Sequence, residues 1–138
     1  MRTLALLAVA PVLLAMTGPA SVDVTVTGIR STKGALSVCV IADKTGFPAC
    51  DRAGTGIKQR VAISGSTTRV RFSGLATGDY AITAFHDEDG DGRLKTNFIG
   101  IPREGVGVSG KLGGIPSFAK AIVRIAPGSA TIITMRYL

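Results

Sequence analysis

Val22-Asp23-Val24-Thr25-Val26-Thr27 sets three valines on one side of an extended chain and Asp23, Thr25 and Thr27 on the other. Side chains of a strand point to opposite faces at successive positions, so this alternation predicts a strand with one face buried. Gly28 interrupts it, and Ser31-Thr32-Lys33-Gly34 supplies a turn. Residues 34–42, Gly-Ala-Leu-Ser-Val-Cys-Val-Ile-Ala, are more continuously apolar and predict a central strand.

Working outward, strands are expected over 57–63 and 67–72 around Ser64-Gly65-Ser66, with Val70 and Phe72 inward and Arg69 and Arg71 toward water. Tyr80 opens another that runs to about Phe85, and a buried tyrosine there needs a partner for its hydroxyl. Residues 121–126 and 130–138 close the chain around Pro127-Gly128-Ser129. Seven short strands with such turn spacing predict an all-β, seven-stranded antiparallel sandwich. The spacing breaks at 87–120, which carries ten glycines and prolines and no strong periodicity. Loops of this length in compact domains are usually either functional or disordered, and the apolar residues throughout this segment predict one long ordered loop.

Ahead of the first strand, Met1-Arg2 and an apolar run to Met16 end in Gly18-Pro19-Ala20. This pattern predicts a signal peptide over 1–20 and a single domain over 21–138, in a protein that is exported to the periplasm or beyond the cell. The apolar run is too short to span a bilayer, and no cysteine follows the cut to take a lipid. After leader removal no transmembrane segment is expected.

Sixteen Lys and Arg against nine Asp and Glu give a net charge of +7. The cations are scattered, and two Tyr, five Phe and no Trp leave no aromatic-interleaved basic patch, so nucleic acid is not an expected partner. The partner expected is an envelope or surface component. Cys39 and Cys50 are the only cysteines, and in an oxidising compartment an even count predicts a disulfide. Their spacing is not the Cys-x-x-Cys of a redox pair.

The strongest chemical signal is Asp87-Glu88-Asp89-Gly90-Asp91-Gly92-Arg93. Carboxylates at alternating positions before a glycine match the first half of a calcium loop, where oxygens at positions one, three and five converge on the ion. Asp87, Asp89 and Asp91 would supply side-chain oxygens and Arg93 its carbonyl, with Glu104 or Asn97 completing the shell. The twelfth position is Phe98 rather than the bidentate glutamate, so only half of the motif is present. The alternative is a metal-free acidic turn, since Asp-Gly pairs are strong turn formers.

His86, the single histidine, precedes this loop. It is expected as a hydrogen-bonded residue at a strand end, because no serine or cysteine nucleophile has a recognisable motif around it. Gly105-Val106-Gly107-Val108-Ser109-Gly110 fits a dinucleotide-binding pattern by spacing alone. It lacks the preceding strand and following helix, and Leu112 stands where a phosphate-binding loop needs Ser or Thr.

Taken together, Gly74-Leu75-x-x-Gly78-x-Tyr80-Ala81, His86-Asp87-x-Asp89-Gly90-Asp91-Gly92, Gly100-Ile101-Pro102-x-Glu104-Gly105-x-Gly107-x-Ser109 and Pro116-Ser117-Phe118-x-x-Ala121 resemble a family of exported bacterial proteins, domain of unknown function 2141. The resemblance implies no established activity. Through Gly-Leu-x-x-Gly-x-Tyr it is distantly similar to transthyretin-like (prealbumin-like) and carboxypeptidase-regulatory-like sandwiches, which implies a binding or structural module. A non-catalytic exported module with an acidic loop that calcium stabilises is therefore expected, with Gly100, Pro102, Gly105, Gly107 and Ser109 shaping the long loop. The alternatives are an envelope hydrolase using His86 and nearby carboxylates, and a carrier of a small apolar ligand, which would need a cavity of roughly 300 Å³ or more.

Overall fold

The structure, a computed structural model, describes residues 18–48, 50, 55–93, 104–111 and 113–138. Among these the chain forms β1 (Ala20–Thr27), β2 (Ala35–Ile41), β3 (Gly56–Ala62), β4 (Thr68–Leu75), β5 (Gly78–Asp87), β6 (Val106–Val108), a one-turn helix α1 (Phe118–Ala121), β7 (Ile122–Ile125) and β8 (Ser129–Thr134). One sheet has the order β4-β1-β8; the other runs β3-β2-β5-β6, with β7 also paired to β5. Both sheets and the sparse helix make the protein all-β and sandwich-like.

Alternation in β1 does what the sequence predicts. Val22, Val24 and Val26 are buried beside Val70 and Phe72 of β4 and Ile133 of β8, and Leu36, Val38, Val40, Ile82, Ala84 and Ile125 face them from the other sheet. Arg69 and Arg71 point outward, where Arg71 pairs with Asp23 across the ladder. The β2–β5 register sets Leu36 opposite His86, Val38 opposite Ala84 and Val40 opposite Ile82 on the inner face.

The outer face of β2 is covered as well, which explains its continuous apolar run. Cys39, Ile41 and Ala81 pack there under Cys50, Ala121, Phe47, Val108 and Phe118. Phe47 meets Phe118 edge to face with ring centroids 6.2 Å apart. Cys39 and Cys50 form the expected disulfide, their Cα atoms 6.2 Å apart. It ties the segment after β2 back onto the sheet. Tyr80 satisfies its hydroxyl by donating to the Ala76 carbonyl at 2.6 Å.

Two expectations need correction. Among the described residues eight strands are present rather than seven, because the expected long loop contains β6, along with the start of α1. The sandwich is not wholly antiparallel, since β1 and β8 pair in parallel from Val22↔Ser129 to Thr27↔Thr134. The turns at 64–66 and 127–129 each carry the chain from one sheet to the other. A reversal within a sheet and a crossover between sheets use the same turn residues, so local sequence does not separate them. β6 and β7 lie end to end along one edge of β5, opposite residues 83–85 and 78–81. Residues 1–17 of the expected leader lie outside the described residues, and β1 opens at Ala20.

Candidate functional site

β5 extends two residues beyond Phe85, so His86 and Asp87 are ladder residues pointing to opposite faces. His86 points inward and is fully buried. Its Nε2 lies 2.7 Å from the Lys33 carbonyl, which can only accept, so Nε2 carries the proton. Its Nδ1 lies 2.8 Å from the Tyr137 hydroxyl. That oxygen accepts from the Arg30 N–H at 3.1 Å and donates its own proton to Nδ1. Both ring nitrogens are thus engaged within the fold, as expected of a structural histidine. Arg30 lies over the Tyr137 ring, 4.3 Å from its centroid, and pairs with Glu88. Burial pushes the Tyr137 hydroxyl above its ordinary pKa, and the Arg30 N–H offsets part of this.

Asp87 points to the outer face and is also fully buried. Its Oδ1 accepts from Gly90 N at 3.1 Å; its Oδ2 accepts from Gly92 N at 2.8 Å and from the Arg60 guanidinium of β3. Asp89 Oδ1 accepts from Asp91 N at 3.2 Å, and Asp91 Oδ1 from Arg93 N at 2.8 Å. Each carboxylate therefore binds an amide two to five residues ahead, curling the loop. Oxygens of Asp87, Asp89 and Asp91 all lie within 4.8 Å of one another. Calcium takes oxygens at about 2.3–2.6 Å, so one ion can reach all three.

Among the other expected ligands, Arg93 is exposed, and its N–H is the Asp91 partner. Glu104 is buried and does not belong to the converging group. Asn97, Gly100 and Pro102 lie outside the described residues. Sequence reasoning missed Arg60, Arg30 and Tyr137. Arg60 and Arg30 look like ordinary surface cations, and Tyr137 lies 51 residues from the histidine it holds.

The glycine-rich segment after Glu104 builds an edge rather than a nucleotide loop. Gly105 offers its carbonyl to His86 N at 2.8 Å. Gly107 lies against the opposite sheet, where a Cβ would stand 2.5 Å from Ile133 Cγ2. Ser109, 2 % exposed, bonds Ile82 through its own N–H at 2.8 Å. Its hydroxyl accepts from Ile82 N at 2.8 Å and donates to the Ala121 carbonyl at 2.6 Å. Ser109 thereby splices β6 to β7 at the point where the chain leaves β5 for residues 110–121. Beside that excursion is a groove of about 110 Å³. It falls well short of the roughly 300 Å³ that a small apolar ligand requires.

No helix among the described residues is long and apolar enough to cross a membrane. An all-β sandwich-like domain with a disulfide on its outer face and an acidic loop at one strand end is the class that fold and site define. Residues 24–133 match the family described as uncharacterized proteins conserved in bacteria, domain of unknown function 2141, and the chain belongs to that family. No curated protein and no solved structure matches it.

Proposed function

We propose that this chain is a non-catalytic binding or structural module exported to the bacterial envelope, with an acidic loop that calcium stabilises. The observation that carries the proposal is the convergence of Asp87, Asp89 and Asp91 within 4.8 Å, on a loop whose own amides orient the carboxylates. Asp87 is the fixed end of this site, because the sheet, Arg60 and two amides hold it. Asp89 and Asp91 are exposed and sit where they can close on an ion. With few protein ligands and Arg60 beside the first carboxylate, affinity in the range of extracellular modules is expected, on the order of 10⁻⁴–10⁻³ M.

The non-catalytic assignment is supported by the two side chains best suited to chemistry. His86 and Ser109 are both buried, and their polar atoms are spent on structural partners. A general base must reach a substrate proton, which His86 cannot do from this position. Export is supported by the apolar N-terminal run and by the disulfide, which an oxidising compartment maintains. Within this proposal the sandwich is of the transthyretin-like kind, and Tyr80, closing onto Ala76, is the tyrosine of the pattern Gly74-Leu75-x-x-Gly78-x-Tyr80.

The test is thermal melting of the domain in calcium and in chelator, with Asp89→Ala/Asp91→Ala beside the native chain. A melting rise that the variant loses upholds the proposal. Equal melting in both buffers removes the metal and leaves a hydrogen-bonded acidic turn.

A further inference from the structure

A second charged site lies away from the acidic loop. The groove beside the 110–121 excursion is lined by Lys111, Lys120 and Arg136, together with Gly113, Gly114, Ser117 and the β6 edge. Three separate pieces of chain supply the cations, and among the described residues no carboxylate lines the groove. We propose that this groove binds a phosphate group.

The cations are held together by the backbone rather than gathered by chance. Lys111 N donates to the Lys120 carbonyl at 2.9 Å, which clamps the two ends of the excursion and brings the backbones of the two lysines together. Gly110, at φ +81°, makes that clamp possible, because a Cβ there would collide with the same Lys120 carbonyl. The Ser109 hydroxyl anchors the excursion to β5 and to Ala121. The Lys120 ammonium folds over the glycine turn, 3.5 Å from where a Gly114 Cβ would stand. Arg136, whose backbone is held by reciprocal bonds with Val106 at 2.8 and 2.9 Å, lines the same groove.

Like charges around one groove repel, and an anion bound among these exposed cations lowers that cost. A planar guanidinium with two ammonium groups suits a phosphate, to which arginine bonds through two N–H groups and lysine as a point charge. Size agrees. A phosphate takes roughly the room of two or three waters of ~30 Å³ each, and the groove offers about 110 Å³. The phosphate comes either from solution or from a lipid headgroup; the groove recognises the same chemistry in both.

The experiment is amide-resolved NMR of the folded domain in chelator, so that failure of the calcium proposal does not affect it. Inorganic phosphate is titrated at constant ionic strength. Saturable shifts are expected at Lys111, Gly113, Gly114 and Lys120. Lys111→Gln/Lys120→Gln/Arg136→Gln weakens binding by about tenfold or more, whereas Arg69→Gln, on β4 at the opposite edge of the β4-β1-β8 sheet, leaves it unchanged. If the triple variant does not fold, Lys111→Gln and Lys120→Gln are measured singly, each with a several-fold loss expected. A parallel arm sediments the domain with phosphatidylcholine vesicles, with and without phosphatidylglycerol. Binding that needs phosphatidylglycerol and the three cations identifies a headgroup; saturation by inorganic phosphate alone identifies a free ion. Shifts that never saturate and spread over other basic residues overturn the proposal, as does variant binding equal to that of the native chain.

Discussion

The Tyr137 hydroxyl lies 2.8 Å from His86 Nδ1 and closes a chain of hydrogen bonds from Arg30 through the buried imidazole to the Lys33 carbonyl. The last residues of the sequence are thereby fastened beneath the segment that follows β1. The phenol titrates above its ordinary value chiefly because it is buried. The unfolded chain therefore releases this proton first as pH rises, and the stability that Tyr137 contributes is complete below pH ~10 and lost as pH climbs through the folded pKa. Melting temperature should fall above pH ~10 less steeply in Tyr137→Phe than in the native chain. Equal slopes would mean that the phenol is no better held in the fold than in the unfolded chain.

Ser109→Ala removes the splice between β6 and β7 and leaves Ile82 N and the Ala121 carbonyl each short of a partner. Orphaned buried groups cost about 1–3 kcal/mol, which in a domain of this size lowers the melting point by roughly 5–10 °C. Hydrogen exchange should quicken at Ile82 and around α1, while β1 stays protected. Exchange that quickens uniformly would argue against a local role.

Gly107 allows β6 to lie against β8, with Ile133 Cγ2 where a side chain would begin. Gly107→Ala should destabilise by about 1–3 kcal/mol through overpacking. In a double-mutant cycle with Ile133→Ala the combined loss should be smaller than the sum, because the truncation makes room for the new methyl. Additive losses would show that the strain falls elsewhere.

Reducing the Cys39–Cys50 bond frees the segment that covers the outer face of β2. Closing so short a loop stabilises by about 3 kcal/mol at most in the chain-entropy model. Cys39→Ser/Cys50→Ser should melt lower than the native chain under oxidising conditions and no longer respond to reductant. A reductant effect that survives in the double variant would have another origin.

The sequence made the strands legible wherever burial differs between faces. Val22, Val24 and Val26 announce β1, and the apolar run over 34–42 announces β2 as a central strand. Chain-distant partnerships were not legible. The parallel β1–β8 ladder joins residues more than a hundred positions apart, and nothing in Ala130-Thr131-Ile132-Ile133 states direction. β6 was hidden because its three residues alternate valine with glycine, and glycine reads as loop. In the site, Asp87, Asp89 and Asp91 were visible because they lie in one short stretch. Arg60 was not, because its outward place on an edge strand reads as solvent-facing until Asp87 is found across β2.

The central claim is that the Asp87–Asp89–Asp91 loop holds calcium, and a calorimetric calcium titration of the native domain tests it most directly. The account predicts saturable binding of one ion, with a dissociation constant on the order of 10⁻⁴–10⁻³ M, abolished in Asp89→Ala/Asp91→Ala. At calcium of ten to a hundred times that constant, the domain gains about 1.4–2.7 kcal/mol. No saturable heat at any concentration in this range, or equal binding by the variant, would contradict the claim and leave Arg60 as the cation that the loop is built around.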